Sequence, residues 1–107
     1  MWVMLNDAFL SIVALPGKGQ RRKLLVRARA RYDISRVFAD AVVQHTPLAD
    51  YAYRAIIPAA EVKRTLAREV GRITYTNFKD SVAEEDRHDA YITVWTALMR
   101  WGRGLSQ

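Results

Sequence analysis

The feature that most constrains this chain is the stretch 23–31, which reads Lys-Leu-Leu-Val-Arg-Ala-Arg-Ala-Arg. Alternate side chains of a β-strand point to opposite faces of the sheet. One face then carries Leu24, Val26, Ala28 and Ala30, and the other carries Leu25, Arg27, Arg29 and Arg31. The first face suits a hydrophobic core. Because unpaired guanidinium groups are costly to bury, the second face is expected to lie in water or to be covered by an acidic partner.

The positive charge of the chain is concentrated in its first half. Residues 1–60 contain nine Lys or Arg against four Asp or Glu, whereas residues 61–107 contain eight against seven. Residues 18–31 alone hold seven basic residues and no acidic residue. Such a concentration is typical of a surface that faces a polyanion. The simpler alternative is a solvated sheet face on a generally basic protein.

Length and composition indicate one domain spanning residues 1–107, with half of the residues apolar and none of them cysteine. The absence of cysteine excludes disulfides, thiolate zinc sites and cysteine nucleophiles. The N-terminus lacks the basic region of a signal peptide. No stretch approaches the roughly 18 apolar residues of a membrane span. We therefore expect a cytoplasmic protein that does not bind membranes.

Apolar runs and turn residues predict about four strands. Residues 2–5 and 9–15 are apolar at both odd and even positions, so both faces of a strand would be apolar here. Asn6-Asp7 lies between them and is expected to form a kink or bulge. Pro16-Gly17-Lys18-Gly19 is a strong turn signal that joins this segment to the strand 23–31 in a hairpin. A short third strand is predicted at 42–44, and a better one at 51–57.

Helical periodicity predicts the remaining elements. Asp33 is a candidate cap for a short helix with an apolar stripe formed by Ile34, Val37, Phe38 and Ala41. Pro58 suits the start of a second helix, whose apolar face is expected to run through Ile73. Residues 77–82 predict one or two helical turns, and the acids at 84–86 open a last helix. This order predicts an α+β fold, an antiparallel sheet of about four strands with two to three helices packed on one face.

Two tyrosines in the predicted strand 51–57 are candidates for base stacking. Tyr51 and Tyr53 fall on the same parity as Ala55 and Ile57 and so are expected to share a face. A pair of aromatic rings at this spacing is used as a stacking platform by sheet-based RNA-binding proteins. The alternative is that both rings pack on the sheet with their hydroxyl groups at its rim.

Residues suited to catalysis are few. The chain has two histidines, His45 and His88, and Glu84 lies four residues before His88 as a potential second metal ligand. Acids at the start of a helix need no metal to explain them. No phosphate-binding glycine loop, nucleophile elbow or dinucleotide fingerprint is present. We therefore predict no catalytic residues, no metal and no cofactor, and keep a small hydrolase or nuclease as an alternative.

Several blocks of the chain resemble a family of small, uncharacterised bacterial proteins. These blocks are residues 2–13, Leu25-Val26-Arg27-Ala28-Arg29, Asp50-Tyr51-Ala52-Tyr53-Arg54, Asn77-Phe78-Lys79-Asp80 and residues 91–95. The resemblance covers most of the chain and implies a bacterial, cytoplasmic, single-domain protein. The family has no assigned activity, so the resemblance assigns no role to any residue.

The sequence thus favours a non-enzymatic binding module that contacts an acidic partner, most simply nucleic acid, through phosphate contacts. The residues predicted to bind are Arg21, Arg22, Lys23, Arg27, Arg29, Arg31, Tyr51, Tyr53 and Arg54. An alternative is a protein-interaction or inhibitor protein, such as an anti-CRISPR-like protein of a mobile element. For that alternative the interface is either Trp101 or the basic face, which then contacts an acidic protein surface. A homodimer is a further alternative.

Overall fold

The computed structural model describes residues 1–17, 19 and 22–105. The chain divides into two compact units, Met1–Thr74 and Tyr75–Gln107. In the described residues no helix has both the length and the apolar character needed to cross a membrane. The prediction of one domain over residues 1–107 stays a prediction.

The first unit is built on a five-stranded antiparallel sheet with the strand order β1-β2-β3-β5-β4. The strands are β1 Trp2–Leu5, β2 Ala8–Ala14, β3 Lys23–Ala28, β4 Gln44–His45 and β5 Tyr53–Pro58. The predicted kink at Asn6-Asp7 is wrong, because these residues form a tight turn that pairs Leu5 with Ala8. Two consecutive polar residues let the apolar run fold back on itself, which accounts for the strand beyond the predicted four.

The turn between β2 and β3 contains two glycines in the positive-φ conformation that its sequence predicts. Gly17 and Gly19 adopt positive φ angles of 102° and 80°, a conformation that glycine reaches without a steric penalty. Lys18 of the predicted turn lies outside the described residues.

Strand β3 is shorter than predicted, because it ends at Ala28 rather than Arg31. The backbone N–H of Asp33 donates to the carbonyl of Ala30 at 3.2 Å, so the chain turns away from the sheet to begin the first helix. Arg29 and Arg31 therefore lie beyond the strand. The continuous row of three arginines on one strand face is not formed.

Two helices of the first unit, α1 (Asp33–Val37) and α2 (Ala59–Gly71), pack on the same face of the sheet. The core that they share consists of Ala8, Leu10, Ile12, Val26, Ala28, Ile34, Val37, Phe38, Ala55, Ile57 and Val62. The sequence predicts both the buried face of β3, which carries Val26 and Ala28, and the apolar stripe of α1. The α+β class, with helices on one face of an antiparallel sheet, is therefore confirmed.

Asp33 connects α1 to the sheet. Helix α1 begins at Asp33 itself, with Tyr32 at the N-cap position and no side-chain cap hydrogen bond there. The buried carboxylate of Asp33 accepts the backbone N–H of Phe9 in β2 at 2.9 Å. Asp33, which was predicted to cap its own helix, thus holds a neighbouring strand.

A second polar link joins the β1–β2 turn to both helices. The guanidinium group of Arg36 donates to Asp7 and to Glu69 of α2. The hydrogen bond to Asp7 is the largest influence that raises the pKa of Arg36, while partial burial opposes it. Arg36 is therefore fully charged in its bridging position.

Helix α2 follows Pro58, as predicted. Val62 is buried and Leu66 packs against the core, but Val70 and Ile73 are exposed. The predicted apolar face through Ile73 therefore contributes to this core only as far as Leu66.

The second unit contains a short 3-10 helix, Lys79–Ser81, and the long helix α3, Glu85–Leu105. The side chain of Asn77 accepts the N–H of Asp80 at 3.2 Å, within the segment 77–82 that is predicted to form one or two helical turns. The ring of Phe78 stacks on Tyr91 of α3 at a centroid distance of 5.7 Å. Lys79 lies 4.9 Å from the ring of Trp95, which is half exposed.

Candidate functional site

The sheet face opposite α1 and α2 carries a row of polar residues that crosses four strands. Ser11 of β2 pairs with Arg27 of β3, Arg27 pairs with Arg54 of β5, and Arg54 pairs with Gln44 of β4. Directly paired residues point to the same face of an antiparallel sheet. Since Val26, the neighbour of Arg27, belongs to the core, this row lies on the other face.

Arg27 and Arg54 form a like-charge pair at the centre of this row, and we call these two residues the arginine pair. Like charges placed directly opposite one another destabilise a sheet. In the part of the chain that the structure describes, neither guanidinium group forms an ion pair with a carboxylate. The arginine pair therefore has a charge that the described residues leave uncompensated.

The hydrogen bonds of the arginine pair are incomplete as well. The terminal nitrogen Nη2 of Arg27 donates to the hydroxyl of Ser11 at 2.7 Å. Among the described residues the buried Nε atoms of Arg27 and Arg54, like that of Arg36, have no hydrogen-bond partner. An unsatisfied buried donor costs about 1–3 kcal/mol, so the arginine pair is held at a cost to stability.

Tyr51 brings a third arginine to the same place. Its ring lies 4.5 Å from the guanidinium carbon of Arg27 and 4.1 Å from that of Arg29, and only 6% of the residue is exposed. Tyr51 precedes β5, and its ring contacts Arg27 on the face opposite the core, whereas Tyr53 packs against the core. The predicted common face of Tyr51 and Tyr53 is therefore wrong, because the strand alternation does not extend back to residue 51.

Asp50 provides the acidic contact closest to this cluster. Its carboxylate accepts from Arg29 at 3.1 and 3.3 Å, in an exposed position. This hydrogen bond is the main influence that raises the pKa of Arg29, with burial opposing it. Exposed ion pairs contribute about 0–1 kcal/mol, so an anionic ligand can compete with Asp50 for Arg29 at little cost.

The other predicted binding residues lie apart from the arginine pair. Lys23 opens β3 opposite Pro58, and its neighbour Arg22 is exposed. The guanidinium group of Arg31 lies 5.4 Å from the ring of Tyr32. Arg21 lies outside the described residues. The predicted set thus divides into a central cluster of Arg27, Arg29, Tyr51 and Arg54 and several outlying cations.

Sequence reasoning missed Ser11 and Gln44, the two neutral ends of the polar row. Ser11 is 1% exposed and lies in an otherwise apolar strand. The sequence contained one indication of this position: Ser11 lies between the core residues Leu10 and Ile12 and therefore points to the opposite face of the sheet. Gln44 had no comparable signal, because its strand is only two residues long.

Comparisons with protein-family models, with curated proteins and with solved structures found no match. What the site can bind therefore has to be inferred from the chemistry of its own side chains. Guanidinium, hydroxyl and amide groups donate hydrogen bonds to oxygen acceptors. Among the described residues there is also no group of three or more His, Asp or Glu side chains suited to hold a metal ion. The arrangement is suited to binding anions.

Trp101 lies in the second unit, on the exposed surface of α3. Other exposed apolar side chains recur along the same helix, namely Val94, Trp95, Leu98 and Leu105. We call Val94, Leu98, Trp101 and Leu105 the α3 stripe. Their spacing of three to four residues places them along one side of the helix.

Proposed function

We propose that this protein is a non-enzymatic nucleic-acid-binding module whose arginine pair contacts the phosphate backbone. The observation that supports it is the direct cross-strand pairing of Arg27 and Arg54 without a carboxylate partner among the described residues. A phosphate accepts hydrogen bonds from both guanidinium groups and removes their mutual repulsion. Tyr51 holds Arg27 and Arg29 close together and so extends the anion-binding surface.

The charge distribution supports a polymeric anion over a single small one. The chain has a formal net charge of +6, and Lys23 and Arg27 lie on the same face of β3. Contacts to phosphates position a nucleic acid without reading its sequence, so we expect little sequence preference. The proposal includes a cytoplasmic location in a bacterial cell, which the absence of cysteine and the family resemblance favour.

Fluorescence anisotropy tests this proposal directly. Labelled single- and double-stranded DNA and RNA are titrated with the purified protein over a series of salt concentrations. For two to four phosphate contacts we expect the logarithm of the affinity to fall against the logarithm of salt with a slope of about −1.4 to −3.6. Absence of binding at the lowest salt concentration, or binding that does not change with salt, would contradict the proposal.

The α3 stripe favours a second candidate function, protein interaction, and we propose a second copy of this chain as the partner. Exposed apolar patches with tryptophan are typical of interaction surfaces. Four acidic residues lie at positions 84–89, before the stripe, and Arg100 and Arg103 lie near the C-terminal end of α3. An antiparallel pair of α3 helices therefore brings acidic and basic ends together in an isologous contact.

Charge substitution in the α3 stripe tests self-association. We expect the protein to sediment as a dimer at micromolar concentration, and the double variant Leu98→Glu/Trp101→Glu as a monomer, because a buried unpaired carboxylate is costly. The matched control is Val42→Glu/Leu48→Glu, which alters two apolar residues of the first unit that are more exposed than Leu98 and Trp101. A monomeric parent protein, or equal dissociation of both double variants, would rule out this interface.

A further inference from the structure

A cavity lies at the sheet edge where β4 pairs with the beginning of β5. Its volume is about 400 Å³, and it is lined by Arg31, Tyr32, Ser35, Val43, His45 and Tyr53. Small-molecule sites of proteins span roughly 300–1,000 Å³, so this cavity has room for a small ligand. None of its lining residues belongs to the arginine pair.

Aromatic rings dominate the lining of this cavity. His45 and Tyr53 are direct partners across β4 and β5, and their rings are parallel within 3° at a centroid distance of 4.6 Å. The ring of Tyr32 is also at the cavity, and it is largely exposed. Flat π surfaces of this kind favour a planar, aromatic ligand.

The charge of the lining selects an anionic ligand. Arg31 contributes a guanidinium group that forms no ion pair within the described parts of the chain, and no Asp or Glu lines the cavity. Tyr32 and Tyr53 also contribute phenolic groups to the lining. A phosphate at this position would accept hydrogen bonds from Arg31 and from a phenol.

We infer that this cavity binds a single nucleotide, with the base against the His45–Tyr53 ring stack and Tyr32, and the phosphate held by Arg31. A planar ring attached to a phosphate matches both the aromatic and the cationic parts of the lining. Two sources supply this ligand, a free mononucleotide and an unstacked nucleotide of a single strand. The inference goes beyond the arginine pair, since it concerns base stacking in addition to phosphate contact.

Nuclear magnetic resonance of the full chain tests this inference with uridine 5′-monophosphate as the probe. We expect chemical-shift changes centred on the backbone amides of Arg31, Tyr32, His45 and Tyr53. Uridine, which lacks the phosphate, is expected to bind about tenfold more weakly, since a charge-assisted hydrogen bond is lost. The variants Arg31→Ala and His45→Ala are each expected to weaken binding of the monophosphate about fivefold or more.

Arg64→Ala is the matched control, because Arg64 is an exposed cation of α2 outside the cavity. Equal weakening by Arg64→Ala and Arg31→Ala, equal affinity for uridine and its monophosphate, or shifts centred on the arginine pair would overturn the inference. A single-stranded oligonucleotide distinguishes the two sources. If Arg31→Ala and His45→Ala also weaken oligonucleotide binding, the ligand is part of a strand; if only monophosphate binding falls, the ligand is the free nucleotide.

A variant of the arginine pair distinguishes failure of the nucleic-acid-binding proposal from failure of the nucleotide-binding inference. The variant Arg27→Ala/Arg54→Ala is expected to lose oligonucleotide affinity and salt dependence while it keeps the monophosphate titration. Loss of monophosphate binding in this variant, at unchanged fold, would show that the cavity is no independent site.

Discussion

Replacing Leu10 by alanine lowers the free energy of unfolding by about 2–5 kcal/mol, the range measured for buried leucines. Leu10 is completely buried, at 0% exposure, on the interior strand β2 beneath α1. The loss combines the transfer energy of the removed methyl and methylene groups with the cavity that they leave. Urea denaturation followed by circular dichroism measures the difference, which is a large part of the stability of an ordinary small domain.

Leu48 supplies a matched control, since it is the same residue type at 100% exposure. Leu48→Ala is expected to change the free energy of unfolding by less than about 0.5 kcal/mol. Similar losses for both variants would mean that the core described for the first unit is wrong.

Reversing both charges of the arginine pair has the largest expected effect on binding. The double variant Arg27→Glu/Arg54→Glu is expected to bind single-stranded nucleic acid at least 100-fold more weakly than the parent protein. Two phosphate contacts are lost, and two carboxylates at the same positions repel the backbone. Fluorescence anisotropy at one salt concentration measures the loss of affinity, and a salt series is expected to show a log–log slope that is smaller in magnitude by about 2.

The control for this experiment removes the same charge elsewhere. Lys63→Glu/Arg64→Glu changes two exposed cations of α2, which packs on the sheet face opposite the arginine pair, and lowers the net charge equally. We expect it to weaken binding less than tenfold, through the general field of the protein alone. If the two double variants lose equal affinity, binding depends on net charge and the arginine pair has no special role.

The single variant Arg54→Glu separates a binding role from a structural one. It replaces a like-charge pair by an opposite-charge pair across β3 and β5, which is expected to raise stability by about 0.2–1 kcal/mol. The same variant is expected to weaken nucleic-acid binding. A loss of both stability and binding would indicate instead that Arg54 supports the fold.

Local patterns were sufficient for the parts of the fold that depend on neighbouring residues. The alternation in β3 identified Val26 and Ala28 as core residues, and the helical spacing of Ile34, Val37 and Phe38 identified the buried side of α1. These inferences succeed because a strand or helix has a fixed period, so a short stretch of sequence states which side is buried.

The turn at Asn6-Asp7 and the end of β3 show where local patterns failed. An apolar run interrupted by two polar residues is compatible with a kink or with a reversal of the chain. Likewise, Arg29 and Arg31 continue the alternation of β3, but the start of α1 at Asp33 draws the chain away. In both places, tertiary packing decided between two conformations that the local sequence permits.

The sequence by itself determined the basic character of the chain, the apolar faces of its strands and helices, and the α+β class. Only the tertiary structure decided that Arg27 lies opposite Arg54, that Tyr51 contacts both Arg27 and Arg29, and that Arg29 pairs with Asp50. Strand register and loop path set these contacts between distant segments. Because side-chain periodicity is a local property, it cannot specify which residues of two distant segments meet.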